Sequence, residues 1–263
     1  MKICCLVKEV PDAAVQKRID PGTKRLDRSG ERTLNVFDKH GIEAAMQIRE
    51  GGEVEVEEIV AVTMGPDSAS RALHQAVALG ADRSVHLSDD ALAGSDVCAT
   101  GYALAKVLEA ESPDLVLLGQ QSDDGECYTI GAVVADHLKM PSLTQVVKME
   151  TSAGKLRCQR QAEYGYDTVE IELPAVISVG DAINEPRYPS LKAIMGAKKK
   201  PLDGKAIGDV GIEAGKVGES GSQTTVLAIN PPAAKEAGEV FEDEDTAETV
   251  EKIVAWLEER KLI

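Results

Sequence analysis

The chain has 263 residues, 43% of them hydrophobic, 28% charged and 3% aromatic, which is the composition of a soluble globular protein long enough for one large α/β domain or two small ones. Acidic residues outnumber basic ones 45 to 29, a net charge of −16, and this excludes a nucleic-acid wrapper that neutralises phosphates with clustered Lys and Arg. The sequence has no apolar run long enough for direct membrane insertion, and its five cysteines (Cys4, Cys5, Cys98, Cys127, Cys158) form no C-x-x-C pair, so a reducing, cytoplasmic location is expected.

In chain order, ICCLV at 3–7 is a continuous apolar run that suits a strand buried on both faces. Residues 12–34 are polar, with Pro21, Gly22 and Gly30, and predict a long loop or a small hairpin. A helix is expected from Asp38 to about Glu50, ended by Gly51-Gly52. EEIVAVTM at 57–64 is a second buried strand, and Gly65-Pro66 opens a helix in which Ala69, Ala72, Leu73 and Ala76 share a face. A short strand at 84–87, a helix at 95–110, a strand at 114–119 and a helix at 126–138 follow. This alternation predicts an α/β fold: a doubly wound, mostly parallel sheet with helices on both faces. Residues 143–178 read as short strands forming an antiparallel or edge extension. Residues 181–202 read as a loop and short helix ending in Lys198-Lys199-Lys200. The expected organisation is a domain over 1–202, a Gly-rich coil linker over 203–223 and a C-terminal arm over 224–263.

No G-x-G-x-x-G, P-loop, H-E-x-x-H or G-x-S-x-G motif is present. The four histidines are scattered, and no cysteine lies near one as a paired nucleophile requires. A self-contained hydrolase or transferase is poorly supported. A nucleotide site is better supported, because open α/β sheets bind ligands beyond the carboxyl ends of their strands. Strand 1 ends in Leu6-Val7-Lys8, strand 2 ends in Met64-Gly65, and the strand at 114–118 runs into GQQSDDGECYTIG at 119–131. Gly119 and Gly125 allow close backbone approach there, and a helix N-terminus follows whose N–H groups suit a phosphate. Asp123, Asp124 and Glu126 suit either a helix cap or contacts to ribose or adenine.

Several stretches taken together are specific: VKEVPD at 7–12, LNVFDKHGIEAA at 34–45, ALGADRSVHL at 78–87, DLVLLGQQSDDGE at 114–126, LPAVISV at 173–179 and NEPRYPSLKAIMGAKKK at 184–200. In this order the chain resembles the beta, or small, subunit of an electron-transfer flavoprotein, closely over 1–210 and more loosely beyond. The resemblance implies a fold of the adenine-nucleotide alpha-hydrolase-like type. It also implies a heterodimer with an electron-transfer flavoprotein alpha subunit that holds most of a shared FAD. Electrons would pass from dehydrogenases through that flavin to a quinone-linked or other redox acceptor. The chain itself would be an electron carrier without its own substrate turnover.

Carried over position by position, the family's nucleotide contacts fall on Leu6, on Asn35, Val36, Phe37 and Asp38, and on Met64. They continue through Gly119, Gln120, Gln121, Ser122, Asp123 and Asp124, then Gly125, Glu126, Cys127, Tyr128, Thr129 and Ile130. Asn35 offers a donor and an acceptor to an adenine or ribose edge, or else caps the following helix. Phe37 either approaches the shared flavin or is core. The nucleotide implied is AMP; members that bifurcate electrons place a second FAD there instead and oxidise NADH at it. A universal-stress-type sensor of adenine nucleotides shares the βα architecture and is the third reading. The family's partner-recognition loop falls on Asn184, Glu185, Pro186, Arg187, Tyr188 and Leu191, with Leu191 as an apolar anchor or, alternatively, core.

In the tail, TTVLAI at 224–229 is strand-like, Pro231-Pro232 interrupts it, and an acidic stretch follows. A final helix then carries Val250, Ile253, Val254 and Leu257 on one stripe. Such a stripe must be buried: the resemblance implies that it docks on the alpha subunit, and the alternative is that the helix packs back on its own sheet.

Overall fold

The computed structural model describes residues 1–152, 154–230, 233, 238, 240 and 245–263. The alternating pattern of the first 140 residues folds as periodicity requires. β1 (Lys2–Leu6) is followed by β2 (Glu9–Pro11). A two-stranded hairpin, β3 (Ile19–Asp20) and β4 (Arg25–Leu26), comes next, and β5 (Arg32–Leu34) returns to pair with β2. The polar 12–34 segment is therefore a strap tied down at its base by the β2–β5 ladder.

α1 (Val36–Gly51), β6 (Glu58–Met64), α2 (Ser70–Leu79) and β7 (Arg83–Leu87) build one half of the sheet. α3 (Val97–Glu111) then crosses back to β8 (Leu115–Gly119) on the other side of β1, and α4 (Ile130–Leu138) follows. After it come β9 (Ser142–Ser152), β10 (Lys155–Ala162), β11 (Gly165–Glu172) and β12 (Ala175–Val179). The last elements are α5 (Leu191–Ala197), β13 (Leu202–Lys205), the single turn α6 (Gly218–Gly221) and α7 (Thr246–Glu259).

One nine-stranded sheet has the order β11-β10-β9-β12-β8-β1-β6-β7-β13. Every pairing from β9 to β13 is parallel, and β10 and β11 add an antiparallel edge. Alternate residues of β1 point to opposite cores, as strand geometry demands. Ile3 and Cys5 join Ile42, Ala45 and Ile48 of α1 and Leu73 of α2. Cys4 and Leu6 join Leu104, Val107 and Leu108 of α3 and Val134 of α4. Helices thus cover both faces, which is why β1, β6 and β8 read as uninterrupted apolar runs.

Three expectations differ. AVISV is not an edge strand: β12 lies between β8 and β9 inside the parallel sheet. Residues 203–223 are not all coil. β13 covers the exposed edge of β7, and Ile212 and Val217 are buried in the α3-side core. α4 starts at Ile130, four residues later than the helix expected from 126, because Glu126 (φ 45°) and Tyr128 (φ 55°) are left-handed and cannot belong to a right-handed helix.

The compact unit that contains the sheet runs from Met1 to Leu227, and a second unit spans Ala228–Ile263. TTVLAI forms no regular element. Pro231-Pro232 and most of the acidic stretch lie outside the described residues. In the second unit α7 is capped by Asp245, whose carboxylate accepts from Ala247 N at 2.9 Å. Its stripe residues Val250, Ile253 and Val254 are exposed. Among the described residues no helix is long and apolar enough to cross a membrane.

Candidate functional site

α1 and α2 lie on one face, α3 and α4 on the other, so the chain changes direction at β1 and β8. The crevice beyond the carboxyl ends of the strands at such a switch point is where this architecture binds ligands. A cavity of about 450 Å³ occupies it. Its floor is Leu6 and Val7 of the β1 end, Val62 and Met64 of β6, and Leu118 and Gly119 of β8. Its walls are the residue 119–130 loop, the start of α3 and the strap.

Asp38 organises the floor. Its Oδ2 accepts from Lys8 N at 2.8 Å and its Oδ1 from Gly119 N at 3.2 Å, linking the ends of β1 and β8 through the first turn of α1. Burial pushes this carboxyl up to about 7, against the hydrogen bonds from Asn35, Lys8 and Gly119 that favour its charged form. Gly119 is required by this packing. A Cβ there would lie 2.6 Å from the Phe37 carbonyl carbon and 2.7 Å from Asp38 Oδ1.

Asn35 holds the loop. Its Nδ2 donates to Gln121 O at 2.8 Å, and its Oδ1 accepts from Asp123 N at 3.1 Å. It makes no side-chain cap on α1. Both ends of the amide are thus engaged with loop backbone, so its main work is to set the loop's position. The loop turns tightly, with Gly125 N and Glu126 N both donating to Ser122 O. It then passes through the left-handed Glu126 and Tyr128 into α4. Left-handed backbone at a tyrosine persists only where surrounding contacts impose it, and such outliers cluster at ligand sites.

Charge is concentrated on one wall. Asp124 Oδ1 accepts from Lys8 Nζ at 2.7 Å and Oδ2 pairs with Arg28 of the strap. Lys17, also on the strap, pairs with Asp123. Burial alone would raise the Asp124 carboxyl, but the Lys8 charge, with hydrogen bonds from Lys8, Arg28 and Ser122, holds it down at about 2. On the far wall Asp96 caps α3, accepting from Ala99 N at 2.9 Å, and also accepts from Gln223 N and Thr224 N. Two helix N-termini, those of α3 and α4, therefore meet the cavity. The first-turn N–H groups of a helix have no intrahelical partners, which suits an anion. Gln121 lines the cavity while its buried Oε1 lacks a hydrogen-bond partner among the described residues. A buried acceptor without a donor fits a ligand that brings one, such as an exocyclic amine.

Of the residues expected at a nucleotide site, Leu6, Asn35, Asp38, Met64, Gly119, Gln121, Ser122, Gly125, Cys127 and Ile130 line this cavity. Val36, Phe37, Gln120, Asp123, Asp124, Glu126, Tyr128 and Thr129 do not. Val36 and Phe37 are the first residues of α1, and Phe37 packs on Gly119. Lys8, singled out only as part of the strand 1 end, also lines it, and the sequence reading missed Arg28, and Ser95, Asp96, Val97 and Thr100 at the α3 start, all of which line it. The Ser95-Asp96 cap signal ahead of a helix was legible; Arg28, inside a polar segment without periodicity, was not. The buried thiols are no nucleophiles. Desolvation raises Cys4 to about 12 and Cys158 to about 11, and raises Cys5 further.

The residue 184–191 loop lies elsewhere, against α1. Arg187 donates to Glu43 from Nε at 2.7 Å and to Glu50 from Nη1 at 2.7 Å. Asn184 Nδ2 donates to His40 O at 3.0 Å. These anchors leave Tyr188 94% and Leu191 80% exposed, so Leu191 is not core. Ser190 accepts from Ala193 N at 3.1 Å and caps α5, on which Met195 is also exposed.

Comparison with known proteins bears on this architecture. The electron transfer flavoprotein domain matches residues 23–208. Proteins called electron transfer flavoprotein subunit beta from Mycobacterium tuberculosis and Thermoanaerobacterium thermosaccharolyticum are 40% and 38% identical, covering 99% and 100% of both chains respectively. A caffeyl-CoA reductase-Etf complex subunit, CarD, of Acetobacterium woodii is 35% identical over the whole of both chains. With matches of this length on a doubly wound sheet, the chain belongs to the beta-subunit branch of the electron transfer flavoprotein family.

Proposed function

We propose that this chain pairs with an electron-transfer flavoprotein alpha subunit, and that the two together carry electrons from dehydrogenases to a downstream redox acceptor in the cytoplasm. The flavin, an FAD held mostly by alpha, supplies the redox chemistry by accepting and releasing electrons. This chain's residues bind, orient and dock. The cavity at the β1–β8 switch point holds an adenine nucleotide, AMP, which here is a bound structural group.

The observation that carries the reading is the convergence at one cavity of two helix N-termini, Lys8 and Arg28, and the unpartnered Gln121 Oε1. A phosphate is served by the first groups and an adenine amine by the last. The Asn184–Leu191 segment, fixed to α1 by Arg187, presents Tyr188 and Leu191 to partner dehydrogenases. The relative named for a reductase–Etf complex agrees with docking on a dehydrogenase-type partner. The arm from 228 onward, with the uncovered stripe of α7, serves the alpha subunit.

The test is to co-purify the chain with its alpha partner, extract the bound cofactors and count them. One FAD and one AMP per heterodimer is the expected outcome. Two FAD would assign the cavity to a second flavin and the protein to the bifurcating, NADH-oxidising branch, a reading that the side-chain-free Gly125 within the loop accommodates. A nucleotide without any flavin would leave only the sensor reading.

A further inference from the structure

The cavity's charged wall has two layers. Lys8 and Arg28 line the cavity, with side chains 44% and 43% exposed, whereas the Asp124 side chain that both contact is 0% exposed and is not part of the lining. The cations face the ligand space and the carboxylate stands behind them. Lys8 Nζ is held twice, by Asp124 Oδ1 at 2.7 Å and Ser122 Oγ at 3.1 Å. It keeps one of its three donors, and Arg28 spends one N–H on Asp124 and keeps the others. Gly125 closes the back: a Cβ there would stand 3.1 Å from Ser122 Oγ and 3.8 Å from Lys8 Nζ. Lys8, Arg28 and Asp124 together carry a single net positive charge. Of the other carboxylates lining the cavity, Asp96 keeps its negative charge and, as the cap of α3, offsets the positive end of that helix, and Asp38 accepts from two backbone N–H groups; neither adds positive charge.

A site that only needed to attract phosphate would gain from two free cations. Cancelling one of them lowers the attraction for every anion, and lowers it most for the most highly charged one. We infer that Asp124 is a positioning residue that sets the phosphate number of the bound nucleotide: it pins Lys8 and Arg28 at the cavity wall and cancels one of their charges, so that the site accepts a nucleoside monophosphate and discriminates against a diphosphate. This rests on the reading of the cavity as an adenine-nucleotide site. The α4 N-terminus adds only about half a charge. With Asp96 also on the lining, the positive charge available does not exceed that of one phosphate, and a second phosphate group finds no counter-charge.

The experiment is calorimetric titration of the nucleotide-free full chain with AMP and with ADP at fixed ionic strength, for the wild type, Asp124→Asn and Arg28→Gln. The wild type should bind AMP more tightly than ADP. Asp124→Asn frees one positive charge and should lower the AMP-to-ADP preference by about tenfold, the size of one hydrogen bond to a charged group. Arg28→Gln removes a cation and should weaken both ligands, ADP more, so that the preference rises. The opposite signs separate a charge selector from a merely structural ion pair, whose loss would move both affinities together. If Asp124→Asn does not fold, as judged by thermal unfolding, Arg28→Gln decides alone. Wild type that binds AMP, with a preference the folded variants leave unchanged, overturns this inference and leaves the cavity assignment standing. Wild type that binds neither nucleotide overturns both.

Discussion

Asp38 is a carboxylate that the fold buries at the floor of the cavity. Its ordinary value is 3.8, and in the folded chain it titrates at about 7. Between those values the folded protein holds a proton that the unfolded chain has released. The stability contributed by that protonated state is fully present below pH 3.8 and is lost as the pH rises through about 7. Asp38→Asn cannot titrate, so the variant should lose less stability than the wild type between pH 5 and pH 7.5, in urea unfolding at the two values. It should be less stable overall by about 1–3 kcal/mol, because Lys8 N and Gly119 N bond to different oxygens of Asp38 and the amide replaces one of these with an NH2 donor. An identical pH difference in the two proteins would show that Asp38 is not the titrating group. Asp124 behaves in the opposite sense: held at about 2, its contribution is present at neutral pH and is lost only on strong acidification.

Two glycines of the same loop differ in why they are glycine. A Cβ at Gly119 would stand 2.6 Å from the backbone of α1, whereas one at Gly125 would meet only the Ser122 hydroxyl and the end of Lys8. Neither φ is left-handed, so space rather than backbone freedom decides. Gly119→Ala should destabilise the fold by about 1–3 kcal/mol, as overpacking does, seen as a lower melting temperature. Gly125→Val should leave the melting temperature of the nucleotide-free chain nearly unchanged while lowering nucleotide content after gel filtration. Full nucleotide retention in Gly125→Val would remove the loop from the proposed site.

At the scale of elements, legibility followed burial. β1, β6 and β8 are buried on both faces, so an apolar run without alternation was enough to place them and the floor of the cavity. β12 has the same character, yet its place between β8 and β9 depends on long-range pairing that a local pattern does not carry. The strap was legible only as a polar interruption. Its positions over the cavity come from ion pairs of Lys17 and Arg28 with Asp123 and Asp124, a hundred residues away. The α4 start was misplaced because the left-handed residues Glu126 and Tyr128 are not glycines. The 184–191 loop, proposed for partner recognition, shows the same division: its sequence resemblance was specific, but the Arg187 fork onto Glu43 and Glu50 is visible only in three dimensions. That fork makes the loop a rigid support, which is what an exposed apolar anchor needs to contribute to binding. Leu191→Ala should therefore slow electron transfer from partner dehydrogenases about fivefold or more, with the fold and FAD content intact. Unchanged rates with several dehydrogenases would rule the anchor out.

For the whole molecule, the place where the compact unit ends decides how the arm is to be tested. The tail begins in sequence at Thr224, but Asp96 accepts from Gln223 N and Thr224 N, and Lys24 of the strap donates to Leu227 O at 2.9 Å. Residues 223–227 therefore help to hold the α3 start and the strap that wall the cavity, and the compact unit runs to Leu227. A chain cut after residue 223 loses the Thr224 and Leu227 contacts and should melt lower than one ending at Leu227. The 1–227 chain should keep both its fold and its nucleotide affinity, because none of the cavity lining lies beyond it. The proposed loss is confined to assembly. α7 exposes Val250, Ile253 and Val254, and Trp256 beside them is 47% exposed, so a partner that covers this stripe should also change the tryptophan's surroundings. Adding purified alpha subunit to the full chain should shift Trp256 emission to the blue, and the 1–227 chain should bind alpha at least tenfold more weakly in the same buffer, a loss in keeping with an aromatic anchor at an interface. A 1–227 chain that binds alpha as tightly as the full chain would remove the arm from the interface and leave the sheet domain to hold the heterodimer by itself.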